Sequence, residues 1–82
     1  MNQNELRSAV QKEVHRILPT GVINWETLGH QMDSLDRLEF VEHLGAELSV
    51  SLDILLMNPG IWTTLESLSE FVFKVVSQTL DD

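Results

Sequence analysis

The sequence predicts an all-α protein, a small four-helix bundle with three long helices, one short third helix and a long loop between helices 1 and 2. Two observations carry this. Apolar residues recur at three- and four-residue spacing in three separate stretches, the pattern of a helix with one buried face. Each stretch also opens on a polar residue with a partner three positions on (Asn2 with Glu5, Asp33 with Asp36, Thr63 with Glu66), which is the signature of a capped helix start. With 82 residues, 43% of them hydrophobic, the chain has room for one core, so residues 1–82 form a single domain.

The first helix is expected over residues 4–18, where Leu6, Ala9, Val10, Val14, Ile17 and Leu18 form one stripe. Pro19 stops it and Thr20-Gly21 makes the exit turn. His15 faces solvent in this register and has no ligand partner at helical spacing. Residues 19–32 then form the longest irregular stretch, in which Val22, Ile23, Trp25 and Leu28 tuck onto the bundle, with Trp25 as a loop anchor.

The second helix is expected from Ser34 to Leu48. Asp33 is its N-cap, and Asp36 completes a capping-box-like pair. Both acids suit the positive end of the helix dipole. Turning about 100° per residue places Leu38, Phe40, Val41, Leu44 and Leu48 on one side and Asp36, Glu39, Glu42, His43 and Glu47 on the other. Leu35 lands among the acids, an apolar side chain held at the solvent face.

Val50–Met57 reads as a short third helix, lined by Leu52, Leu55 and Leu56 and capped by Ser51 or Asp53, before a turn at Asn58-Pro59-Gly60. The last helix opens at Thr63 or Thr64 and buries Leu65, Leu68, Phe71, Val72, Val75 and Val76. Trp62, just before it, is placed to act as a hydrophobic staple. The Asp81-Asp82 tail is expected to fray.

Charge narrows the function. The net charge is −8, and between Thr20 and Phe73 a single arginine, Arg37, faces Glu26, Asp33, Asp36, Glu39, Glu42, Glu47, Asp53, Glu66 and Glu70. Such a surface repels nucleic acid and anionic membranes and steers towards basic protein partners. No cysteine is present, which excludes disulfides and thiolate metal sites and suits the cytoplasm. Met1-Asn2-Gln3-Asn4-Glu5 lacks the basic and apolar regions of a secretory signal, and no apolar stretch approaches membrane-spanning length. The expectation is a soluble monomer.

Ser34 is the residue that stands out. A hydroxyl at a helix start is exposed where backbone N–H groups and the dipole favour an attached phosphate. Asp33 and Asp36 can help hold a divalent cation of the kind that phosphoryl-type transfer to that hydroxyl needs, though no resident metal site is read. His30 lies close in sequence and invites a Ser–His dyad, but no orienting third group and no oxyanion-hole glycine pattern accompanies it. Ser34 therefore looks like an acceptor for another enzyme's chemistry, and the chain itself is not read as an enzyme. The structural alternative is an ordinary helix-start serine.

Leu28-Gly29 with Asp33-Ser34-Leu35-Asp36 and the acidic Leu38-Glu39-Phe40-Val41 helix resembles the acyl carrier protein family. The resemblance covers nearly the whole chain: its length, helix order, long first loop and Trp62-Thr63-Thr64-Leu65 opening the last helix. It implies that Ser34 carries a 4′-phosphopantetheine arm transferred from coenzyme A by a separate Mg²⁺-dependent phosphopantetheinyl transferase. The arm's thiol would hold an acyl or aminoacyl group as a thioester between a loading enzyme and downstream synthase enzymes. Asp33, Leu35, Asp36, Leu38, Glu39 and Glu42 match the positions on which the family's partners dock through basic patches. The chain departs from the compact fatty-acid form in its longer Gly29–Asp33 stretch, in Arg37, and in His43 and Gly45, which thin the acidic helix. The spacing from Ser34 to Trp62-Thr63-Thr64 is closer to that of D-alanyl carrier proteins and other free-standing carriers. The resemblance thus points to polyketide, nonribosomal peptide or related metabolism, and the alternative is an unmodified carrier-like domain that serves only as a protein interaction module.

Overall fold

A computed structural model of the protein describes residues 2–18 and 23–80; Pro19, the Thr20-Gly21 turn, Val22 and the Asp81-Asp82 tail lie outside them. The described residues are helical, with three α-helices: α1 (Gln3–Ile17), α2 (Ser34–Leu48) and α3 (Leu65–Leu80). α1 packs along both α3 and α2. None of the helices is long and apolar enough to cross a membrane.

The starts of α1 and α2 follow their sequence signals. The Asn2 side chain accepts a hydrogen bond from the Glu5 amide at 2.8 Å. At α2 the box is reciprocal: the Asp36 amide donates to Asp33 Oδ1 at 2.9 Å and the Asp33 amide donates to Asp36 Oδ2 at 3.2 Å. α3 begins one step later than a Thr63–Glu66 box would place it. Thr64 is its cap, with Oγ1 accepting from the Ser67 amide at 3.0 Å, while Thr63 Oγ1 donates to the Gly60 carbonyl at 2.7 Å.

The expected fourth helix does not form. Residues 53–57 and 59–62 are two separate 3₁₀ turns, so the chain is a three-helix protein with 3₁₀ connections, not a four-helix bundle. Pro59, at the start of the second turn, has no N–H to donate and cannot continue a preceding helix. The buried residues Leu52 and Leu55 stand three apart, the period of a 3₁₀ turn, and neither Ser51 nor Asp53 makes a cap bond. A third 3₁₀ turn, Leu28–His30, lies in the long loop.

One core runs through the described residues, built from Leu6, Val10 and Val14 of α1, Phe40, Val41 and Leu44 of α2, and Leu65, Leu68, Val72 and Val76 of α3. Trp62 is buried at its centre. Its ring meets Phe40 edge-to-face with centroids 5.2 Å apart, and its Nε1–H donates to the Leu55 carbonyl at 2.9 Å. Trp62 is therefore a core residue, beyond the staple expected of it. Two further differences concern the helix faces. Leu38, expected in the buried stripe, is 40% exposed, and Glu13, on α1, is only 4% exposed.

Two backbone bonds fasten the long loop to the entry of α3: Leu28 N–H to Thr63 O and Leu65 N–H to Trp25 O, both 2.9 Å. Trp25 also meets the His15 ring edge-on at 5.2 Å, so it anchors the loop as expected.

Candidate functional site

Ser34 is the first residue of α2 and is exposed. Among the described residues its hydroxyl has no hydrogen-bond partner, and neither do the amides of Ser34 and Leu35. The Asp36 amide is taken by Asp33, so the cap satisfies the third N–H of the turn and leaves the first two pointing free. Asp33 and Asp36 each use one carboxylate oxygen in the box and keep the other for solvent or a partner. No hydrogen bond joins His30 to Ser34, so the dyad set aside on sequence grounds has no counterpart here.

The segment before Ser34 is held by Arg37. At position i+3 its side chain leans back towards the helix start. Its Nε–H donates to the Met32 carbonyl and its Nη2–H to the Gly29 carbonyl, both at 3.2 Å. The guanidinium also sits over the Trp62 ring, 5.5 Å from its centroid, an attractive cation–π geometry. Met32 itself is buried, and its amide donates to the Leu28 carbonyl at 3.1 Å. Arg37 thus ties the loop, the start of α2 and the core tryptophan into one unit beneath Asp33 and Ser34. In the sequence Arg37 stands out only as an isolated positive charge; its i+3 offset from Ser34 is the signal that it reaches back.

Around the serine the surface is acidic and apolar at once. Leu35 is 75% exposed beside Asp33 and Asp36, with Leu38, Glu39 and Glu42 further along the exposed part of α2. The 53–57 turn packs on α2 and adds Ile54, Leu56 and Met57, of which Met57 is 80% exposed. Those three were not anticipated, because a short helix with Leu56 on its lining hides what a 3₁₀ turn presents.

No protein-family model, no curated protein and no solved structure matches this chain.

The chemistry must then be read from the site. Among the described residues no imidazole or carboxylate is hydrogen-bonded to the Ser34 hydroxyl as an activating base would be. An unpaired hydroxyl beside two unpaired helix-start amides suits a hydroxyl that bears a phosphate ester. Leu35, exposed between Asp33 and Asp36, suits contact with a partner that is apolar at its centre and basic at its rim.

Proposed function

We propose that this chain is a carrier protein with the fold of the acyl carrier family, and that Ser34 carries a 4′-phosphopantetheine arm. The observation that carries the reading is the state of Ser34: an exposed, unbonded hydroxyl at the first position of a capped helix, next to two amides without partners. The residues fit the group. The amides of Ser34 and Leu35 would hold the phosphodiester oxygens, with the positive end of α2 behind them. When bound, the arm supplies the thiol on which an acyl or aminoacyl group is held as a thioester, in a chain that has no cysteine of its own.

The rest of the work falls to α2. Asp33, Asp36, Glu39 and Glu42 steer basic patches of the transferase, the loading enzyme and the downstream synthases, and Leu35 and Leu38 seat against them. Exposed charges of this kind raise association rates more than they slow release, which suits a shuttle that must let go. The cap and the Arg37 tie hold Ser34 in one place relative to this face. The pathway proposed is polyketide, nonribosomal peptide or related metabolism, within the cytoplasm.

The test is intact-mass spectrometry after incubation with a phosphopantetheinyl transferase, Mg²⁺ and coenzyme A. The expected result is a gain of one arm in the parent chain and none in Ser34→Ala. A gain that persists in Ser34→Ala overturns the site. No gain with several transferases, together with partner binding lost in Leu35→Ala, favours an unmodified interaction module instead.

A further inference from the structure

Glu13 is a buried carboxylate whose two oxygens have different neighbours. Arg16 places both of its contacts on Oε1, from Nε at 2.9 Å and Nη2 at 2.7 Å. Oε2 faces His43 Nδ1 across the α1–α2 interface at 2.9 Å. Glu47 stands one turn beyond His43 on the same face of α2. One ligand atom from each of Glu13, His43 and Glu47 lies within 4.8 Å of the other two. A solvent-open groove of about 590 Å³ runs over them, its walls including Ala9, Lys12 and Arg16 as well as the three.

We infer that Glu13 Oε2, His43 Nδ1 and the Glu47 carboxylate form a binding site for one borderline divalent cation of the Zn²⁺ type. The donor set decides the class: one imidazole nitrogen with two carboxylate oxygens suits zinc and its neighbours, whereas Mg²⁺ and Ca²⁺ favour oxygen alone. Coordination needs a small adjustment at His43–Glu13 and a swing of the exposed Glu47 side chain, whose ligand atom lies within 4.8 Å of the other two. Two ligand atoms at ~2.1 Å from a tetrahedral ion stand roughly 3.4 Å apart, so the 2.9 Å His43–Glu13 contact opens by about half an ångström. His43 is partly exposed and free to make that shift. With the ion bound, Nδ1 presents its lone pair and the ring keeps its proton on Nε2.

Arg16 plays the supporting part. Because both its contacts with Glu13 fall on Oε1, while Nη1 pairs with Glu39 at 3.8 Å, it orients the carboxylate from behind and leaves Oε2 for the ion, as hydrogen-bonded ligand carboxylates are held at metal sites. The guanidinium pKa is raised above its ordinary value, chiefly by the hydrogen bond to Glu13 and also by the charges of Glu13, Glu39 and Glu47, with desolvation opposing, so Arg16 stays charged. The carboxylates of Glu5, Glu13 and Glu47 outnumber Lys12 and Arg16 around the groove, and the local balance favours a cation. Three protein ligands leave coordination positions open to water from the groove. The ion would pin α1 to α2 and raise stability by mass action.

The site is independent of Ser34. The experiment is calorimetric titration of the metal-free full chain with Zn²⁺, alongside imidazole ¹⁵N NMR. The expected result is one site, a shift of the His43 Nδ1 resonance without shifts at His15 or His30, and equal binding by Ser34→Ala. Binding should weaken about tenfold or more in His43→Ala and in Glu47→Gln, with unchanged helical circular dichroism. Absence of binding, binding undiminished in His43→Ala, or an equal response to Mg²⁺ overturns the inference, and none of these outcomes bears on the carrier reading.

Discussion

Replacing Gly45 by alanine sets two effects of known size against each other. In a helix interior the change ordinarily stabilises by about 0.5–1 kcal/mol, through helix propensity and the entropy of the unfolded chain. Gly45, however, lies where the chain doubles back at the end of α2. Ser49 is left-handed (φ 57°), its amide donates to the Ala46 carbonyl at 3.3 Å, and the Val50 amide donates to the Gly45 carbonyl at 3.0 Å, the bonds of a Schellman ending. A Cβ on residue 45 would stand 2.8 Å from the Val50 carbonyl oxygen, a backbone atom that cannot rotate aside. Relief requires residues 49–52 to move outward, stretching the closing hydrogen bond and lifting Leu52 from the core. The bond accounts for about 0.5–1.5 kcal/mol and the forced repacking for about 1–3 kcal/mol. After subtracting the propensity gain, Gly45→Ala should destabilise by about 0.5–4 kcal/mol, lowering Tm by about 4–8 °C for each kcal/mol lost. Urea and thermal unfolding followed by far-ultraviolet circular dichroism measure it. A variant as stable as the parent, or more so, would refute the reasoning, because propensity would then have outweighed the close approach.

Three further changes probe the two ends of α2 and the core beneath it. Arg37→Met keeps the aliphatic stem but removes two charge-assisted hydrogen bonds and the contact with Trp62; it should cost about 1–2 kcal/mol, with hydrogen exchange at Gln31 and Met32 accelerating more than in α3. A uniform acceleration would show that Arg37 does not hold the loop locally. Ser49→Gly removes the strain of a left-handed non-glycine residue and should stabilise by about 0.5–1 kcal/mol in the same urea melt, whereas a loss of stability would mean that the serine side chain contributes more than its backbone costs. Trp62→Phe removes one of the two hydrogen bonds to the Leu55 carbonyl, which keeps that from the Asn58 amide, and leaves a gap beside Phe40, for an expected loss of about 1–3 kcal/mol by denaturant titration.

Much of the scaffold was legible because it is local. The Asp33–Asp36 box, the Asn2 cap and the apolar stripes of α1 and α3 depend on residues three or four apart, and the structure places them as the spacing predicts. Other errors arose where a side chain's environment is set by a distant segment. Leu38 falls on the apolar side of a helical wheel yet is 40% exposed. Glu13, on which the sequence is silent, is covered, with Arg16 from its own helix and His43 from α2 satisfying both its oxygens. The Thr63–Glu66 pair satisfies a capping pattern, but Thr63 is occupied with Gly60 and the Leu28 amide, so the cap passes to Thr64.

What the sequence by itself determined is the all-helical class, the limits of α2 and the place of Ser34 at its first position, because hydrophobic period and capping chemistry are short-range and written in neighbouring residues. What only the tertiary structure decided is the 50–62 segment and the brace around the serine. Two 3₁₀ turns replaced the short helix once Pro59 and the burial of Leu52, Leu55 and Trp62 imposed a tighter path. Arg37 became a tie only because Gly29, Met32 and Trp62 converge on it. Those contacts join residues as far apart as Arg37 and Trp62, and no periodicity in the chain encodes a distance of that kind.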